Sequence, residues 1–84
     1  MKLSNLNQMK LKIMHKIVTA EWCGPCNALK GEIKNANIEV EYIDADDNMD
    51  FCNKLGIKSI PTLITSEKEI ITSYPEILKK LNIL

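Results

Sequence analysis

Two cysteines, Cys23 and Cys26, stand two residues apart and carry the clearest chemical signal in the sequence. The residues before them, 16–20, predict a strand, and the residues after them, 27–33, predict a helix. A sulfur at the first turn of a helix faces unpaired backbone N–H groups and the positive end of the helix dipole, which favour a nucleophilic thiolate. The second thiol, one turn along, can reach the first and displace whatever it has captured. The pair therefore predicts thiol–disulfide exchange.

The residues around this pair resemble a known family. The segment Ala20-Glu21-Trp22-Cys23-Gly24-Pro25-Cys26 closely resembles the active-site segment of thioredoxins. A second segment, GIKSIPT at 56–62, is similar to the loop that places a cis-proline against the active-site disulfide in that family. The resemblance covers residues 13–84 and implies a redox-active Cys23–Cys26 disulfide with no other bound cofactor. It also implies that both cysteines are catalytic, Cys23 as the attacking thiolate and Cys26 as the resolving thiol.

The resemblance further implies a set of substrate-binding residues around the disulfide. Trp22 would present a partly exposed ring that shields the disulfide and contacts the substrate. The backbone of Ile60 would pair with an extended peptide beside a cis Ile60–Pro61 bond. The implied set is Trp22, Gly24, Pro25, Ile60, Pro61 and Thr62. The Gly-Pro pair between the cysteines resembles the reducing members of the family, which implies reduction of protein disulfides.

Two other functions stay open at this point. The resemblance implies recharging by an NADPH-dependent thioredoxin reductase, but a glutaredoxin-like enzyme recharged by glutathione is an alternative. Against it, Thr72-Ser73-Tyr74 stands near the paired glycines with which glutaredoxins contact glutathione. The second alternative is a non-catalytic binding module or metal carrier. A zinc site needs two further ligands, and His15 and Cys52 are the remaining histidine and cysteine.

One position departs from the thioredoxin pattern. Counting back from the cysteines, the buried acid of that family falls on Ile17. Counting back from Ile43-Asp44, its lysine partner falls on Val40. In the family the acid is thought to accept the proton of the resolving cysteine. Here water or another carboxylate, such as Glu21, would have to take the proton from Cys26.

Composition indicates one small globular domain. The chain has 84 residues, of which 45% are hydrophobic, with 11 basic and 11 acidic residues and a formal net charge of zero. This balance gives no reason to expect nucleic acid or a membrane surface as a partner, and no apolar run suggests a secretory signal or a membrane span. Three cysteines, an odd number with one Cys-x-x-Cys pair, fit a redox protein of the cytoplasm. We therefore expect a cytoplasmic monomer.

The order of the predicted elements gives the fold class. Strands are predicted over 13–20, 38–43, 62–65 and 69–72, and helices over 25–36, over 49–55 and from Pro75 onward. A right-handed crossover makes the first two strands parallel, and a tight turn makes the last two antiparallel. The prediction is an α/β minimal thioredoxin fold, a four-stranded mixed β-sheet with helices on both faces, in the order β-α-β-α-β-β-α. Residues 1–84 form this single domain, and residues 1–11 are either a short helix or a frayed extension.

Overall fold

The computed structural model describes residues 14–83. The elements are β1 His15–Thr19, α1 Gly24–Asn35, β2 Val40–Asp44, α2 Met49–Lys54, β3 Thr62–Ile64, β4 Ile70–Ile71 and α3 Tyr74–Lys80, with a one-turn 3-10 helix at Ala45–Asp47. In this range no helix has the length and apolar character needed to cross a membrane. The predicted extension over 1–11, and the first residue of the predicted strand 13–20, lie outside the described residues.

The four strands form one mixed sheet in the spatial order β2-β1-β3-β4. β1 and β2 are parallel, with Ile17 beside Tyr42, whereas β3 is antiparallel to both β1 and β4. α1 connects the two parallel strands. Because parallel strands end at the same edge of a sheet, the residues that follow Thr19 and Asp44 lie close to each other. The predicted fold class and element order are confirmed.

Alternate strand residues divide the core into two layers. Ile17 and Leu63 face α1 and α3, where they pack with Leu29, Ile33, Ile77 and Leu81. Val18 and Ile64 face α2, where they pack with Cys52 and Ile57. The helices therefore cover both faces of the sheet, as predicted, and each face has its own apolar layer.

All three α-helices end in the same hydrogen-bonded turn. The residue after each C-cap has a left-handed backbone: φ is 57° at Asn37, 71° at Gly56 and 64° at Asn82. At the end of α1, the amide of Ile38 then donates to the carbonyl of Ile33, with an N···O distance of 3.2 Å. This is the Schellman motif, and the equivalent bonds close α2 and α3. The sequence pattern predicts a strand from residue 38, but β2 begins at Val40 because Ile38 completes this turn.

Candidate active site

A disulfide joins Cys23 and Cys26 at the N-terminus of α1, with 5.2 Å between the two Cα atoms. Cys23 is the N-cap of the helix, and its Sγ accepts a hydrogen bond from the backbone amide of Cys26 at 3.2 Å. α1 starts at Gly24, one residue before the predicted start, because Cys23 already has the extended backbone of a cap. Cys23 is 6% exposed and Cys26 is 0% exposed. The sulfur within reach of a partner is therefore that of Cys23, and a first-turn amide is placed to stabilise negative charge on it.

Trp22 lies on the surface beside the disulfide and is anchored at one point. Its side chain is 69% exposed, and its Nε1 donates a hydrogen bond to Oδ2 of Asp46 at 2.9 Å. Asp46 belongs to the 3-10 helix after β2, and its amide donates to Oδ1 of Asp44 at 2.9 Å. The parallel pairing of β1 and β2 brings these two segments together. No local pattern in the sequence indicates this contact, because the two residues are 24 positions apart.

The loop before β3 packs against the disulfide. The Ile60–Pro61 peptide bond is cis, as the resemblance implies. The half-buried side chain of Ile60 packs against the cluster of Ala20, Cys23 and Cys26. This loop therefore forms one wall of the site.

The six residues named as substrate-binding divide by their exposure. Trp22, Gly24 and Pro25 are exposed and Ile60 is half-buried, whereas Pro61 and Thr62 are buried. The Thr62 hydroxyl donates to the carbonyl of Ser59 at 2.6 Å. The side chain of Thr62 therefore holds the loop in shape and does not reach the surface beside the disulfide. The surface around Cys23 consists of Trp22, Gly24, Pro25 and Ile60.

The buried sulfur of Cys26 has apolar neighbours. Its apolar cluster consists of Ala20, Cys23 and Cys26, with Ile60 packed against them. The buried polar side chains among residues 14–83 are those of Thr19, Thr62 and Thr65, so no carboxylate is buried in this range. Ile17, at the position of the family's buried acid, is 0% exposed and belongs to the layer beneath α1. Glu21 is exposed on the surface. A proton held by Cys26 thus has no buried carboxylate to accept it among residues 14–83.

A small pocket of about 190 Å³ lies beside Trp22 and the Ile60 loop. Cys52 and Ile57 line its inner side, and Lys58 and Ser59 are exposed residues of its margin. Cys52 is a free thiol that is 7% exposed and packs with Val18, as a small hydrophobic side chain would.

His15, one of the two remaining zinc-ligand candidates, lies at the opposite end of β1 from the cysteine pair. Nδ1 of His15 accepts a hydrogen bond from the Ser66 amide at 3.0 Å, at the start of β1, whereas Cys23 and Cys26 follow the end of that strand. Within residues 14–83, no three histidine, cysteine or acidic side chains are grouped as a metal site requires. The metal-carrier alternative thus has no ligand set in this part of the chain.

A disulfide at the start of the helix that joins two parallel strands, with a cis-proline loop packed against it, defines a thioredoxin-like fold and site. The Thioredoxin family model matches residues 4–83. The chain therefore belongs to the thioredoxin family.

Curated relatives match part of the chain. It is 33% identical over 51 residues to the thioredoxin of Bacillus subtilis (strain 168), which covers 54% of this chain and 49% of that protein. It is 39% identical over 51 residues to the thioredoxin of Pyropia yezoensis, covering 54% and 48%. A protein disulfide-isomerase of Arthroderma benhamiae is 35% identical over 60 residues, 58% of this chain and 12% of the isomerase. The matches span about half the length of the two thioredoxins.

Solved structures support the fold over a larger share of the chain. The thioredoxin of Fasciola hepatica superposes with a TM-score of 0.64 at 17% identity, covering 95% of this chain and 91% of that one. A mutant thioredoxin of Halobacterium salinarum gives a TM-score of 0.63 at 21% identity, covering 82% and 71%. At these identities the likeness is one of fold.

Proposed function

We propose that this chain is a thiol–disulfide oxidoreductase that reduces disulfides in proteins through Cys23 and Cys26. The observation that carries the proposal is the hydrogen bond from the Cys26 amide to the Cys23 Sγ at the start of α1. In the reduced state the same amide and the helix dipole favour the thiolate of Cys23. Cys26, completely buried one helical turn away, is placed to attack Cys23 from within the protein.

The proposed reaction has two exchange steps. The Cys23 thiolate attacks one sulfur of the substrate disulfide, the substrate S–S bond breaks, and the other substrate sulfur leaves as a thiolate that takes up a proton. Cys26 then loses its proton and attacks the Cys23 sulfur, which releases the second substrate thiolate and forms the Cys23–Cys26 disulfide. Two electrons pass from the dithiol to the substrate, which leaves as two thiols.

The surface beside Cys23 supports a protein as the substrate. Trp22, Gly24 and Pro25, which flank Cys23 in the sequence, are exposed, and the half-buried Ile60 packs against the cysteine cluster. Such a surface fits an extended peptide, whose backbone would pair with Ile60 beside the cis Pro61. Trp22 would cover the mixed disulfide from the other side.

The oxidised pair must be recharged for turnover, and we propose an NADPH-dependent thioredoxin reductase as the electron donor. We place the activity in the cytoplasm, where reducing conditions keep an unpaired thiol such as Cys52 free. Glutathione is the alternative donor, and the experiment below separates the two.

The test is insulin reduction, followed as turbidity, with either thioredoxin reductase plus NADPH or glutathione plus its reductase. We expect turnover with thioredoxin reductase and little with glutathione. Faster turnover with glutathione would replace the proposed donor, and no turnover with either would overturn the proposed activity.

Single substitutions test the assigned roles. Cys26→Ser should stop turnover and trap a mixed disulfide between Cys23 and a substrate cysteine, which mass mapping can locate. Cys52→Ser is the matched control and should retain turnover, because this thiol packs in the α2 layer. Trapping through Cys26 in Cys23→Ser, with none through Cys23 in Cys26→Ser, would reverse the assignment.

A further inference from the structure

A groove of about 440 Å³ lies next to the residue that anchors Trp22. Its lining residues run without a gap from Asp46, in the 3-10 helix, to Phe51, in the first turn of α2. Asp46 accepts the hydrogen bond from the Trp22 indole at 2.9 Å, and Trp22 directly precedes Cys23. The groove therefore begins beside the surface on which we place the substrate.

The lining of this groove is strongly acidic. Asp46, Asp47 and Asp50 all line it, and Asp44 precedes them at the end of β2. Residues 44–50 thus hold four of the chain's 11 acidic residues and no basic residue, although the formal net charge of the whole chain is zero. The edge of the sheet next to Trp22 therefore carries a local excess of negative charge.

Two of these carboxylates are exposed and unpaired. Neither Asp47 nor Asp50 forms an ion pair or a side-chain hydrogen bond with another of residues 14–83. In the same range, no three acidic, histidine or cysteine side chains are grouped as a metal site requires. Carboxylates that are spread along a groove fit a cationic segment of a polypeptide better than they fit a single metal ion.

The groove also presents apolar surface between its carboxylates. Met49 is 63% exposed, and Phe51 is half-buried. Lysine and arginine combine a long aliphatic stem with a cationic head. The stem can lie over Met49 and Phe51 while the head reaches a neighbouring carboxylate as a charge-assisted hydrogen-bond donor. The chemistry of the groove therefore matches basic side chains.

We infer that this groove makes the enzyme select protein disulfides that are flanked by lysine or arginine. The inference rests on the proposed function, since it names the class of substrate that Cys23 attacks. Asp47 and Asp50 are its specificity-determining residues. They act when the substrate docks, by attracting basic segments and repelling acidic ones, and take no part in the exchange of sulfur.

Two disulfide-linked peptides test this selection. They are identical except that two lysines flank the cysteine on each side in one peptide, and two glutamines do so in the other. The reduced protein is mixed with each peptide without an electron donor, and acid quenching followed by chromatography measures the loss of peptide disulfide. Lysines also make the peptide thiol a better leaving group, so each rate constant is divided by that of dithiothreitol with the same peptide.

After this correction, the lysine peptide should react at least about fivefold faster than the glutamine peptide at low ionic strength. The preference should shrink as added salt screens the charges. Asp47→Asn combined with Asp50→Asn should remove most of it. The matched control combines Glu32→Gln in α1 with Glu67→Gln in the turn between β3 and β4, removes two exposed carboxylates outside the groove, and should keep the preference.

The outcomes separate this inference from the proposed function. Failure to reduce either peptide would contradict the proposed function and the inference with it. Equal corrected rates for the two peptides, or a preference that the Asp47–Asp50 variant and the control lose alike, would overturn the selection and leave the function standing.

NMR gives a readout that involves no sulfur exchange. Versions of the two peptides with serine in place of cysteine are added to the oxidised protein at low ionic strength. The lysine version should shift the amide resonances of residues 46–51, and the glutamine version should leave them in place. Unmoved resonances with the lysine version would contradict the inference, and shifts that follow protein concentration without any peptide would overturn it in favour of a second copy of the chain.

Discussion

The indole nitrogen of Trp22 donates a hydrogen bond to the carboxylate of Asp46 across the active-site edge of the sheet, at 2.9 Å. Trp22 precedes the disulfide, and Asp46 follows the neighbouring parallel strand. The contact thus fixes the exposed Trp22 ring to the segment that follows β2. It connects the proposed docking surface to the strand pairing that forms the fold.

Removing this acceptor should loosen the ring with little cost in stability. Asp46→Ala is expected to lose about 1 kcal/mol of interaction at Trp22 and to lower the fluorescence anisotropy of the chain's single tryptophan. Asp46→Asn keeps an oxygen acceptor and should keep most of the anisotropy. Insulin reduction should fall in Asp46→Ala more than in Asp46→Asn. Equal anisotropy in Asp46→Ala and the unsubstituted protein would show that the bond does not hold the ring.

Placing an acid at residue 17 should destabilise the protein and alter the resolving step. Ile17 is completely buried, so Ile17→Asp loses about 2 kcal/mol of apolar burial and adds the cost of an unpaired polar group. Burial should raise the pKa of the new carboxyl and keep part of it protonated near neutral pH. Release of a mixed disulfide, measured in single turnovers across pH, should then differ from the unsubstituted protein.

Ile17→Val is the control for this position. It removes one methylene group, should cost about 1 kcal/mol, and leaves the chemistry unchanged. If Ile17→Asp stays folded and its pH profile superimposes on that of Ile17→Val, residue 17 has no influence on the proton of Cys26, and water or Glu21 must accept it in both.

Two glycines should respond to alanine in opposite directions. Gly31 lies inside α1, and a Cβ added there would meet no atom within 4 Å, so Gly31→Ala should raise the free energy of unfolding by about 1 kcal/mol. Gly56 also has free space, but its φ of 71° is left-handed, and Gly56→Ala should lower that energy by about 1 kcal/mol. Urea midpoints measure both, and a stabilised Gly56→Ala would contradict the structure of the turn.

Tyr42 should make the fold sensitive to alkali. Partial burial raises the pKa of its phenol above the ordinary value of 10.0. Because the folded pKa is the higher one, the stabilisation is present below pH 10 and is lost as the pH rises through the folded pKa. Tyr42→Phe should therefore lose less stability above pH 10 than the unsubstituted protein. Absorbance at 295 nm, compared between Tyr42→Phe and the unsubstituted protein, should show that the tyrosine removed by the substitution titrates above pH 10.

Local patterns were sufficient for the order of elements and for the disulfide. The cysteine spacing, the apolar strands and Gly56 at a helix end are short-range signals that the structure repeats. Asn37 and Asn82 close helices in the same way as Gly56, but asparagine is less specific for the left-handed turn, so the sequence did not mark these ends.

Contacts between residues that are far apart in the sequence could not be predicted from local patterns. The bond from Trp22 to Asp46 depends on the pairing of β1 with β2, which no local pattern specifies. The exposure of Thr62 was also unpredictable, because a residue after the cis-proline can face either the site or the core. In the structure it faces the core and donates to Ser59.

The burial of Cys52 makes its thiol a natural probe of local opening. With Cys23 and Cys26 joined, Cys52 is the one free thiol among the chain's three cysteines, and it is 7% exposed on the side of α2 that packs against the sheet. A thiol reagent added to the oxidised protein can react when α2 lifts from the sheet, so the labelling rate reports the frequency of that motion. The oxidised protein thus carries a probe of α2 that needs no engineered label.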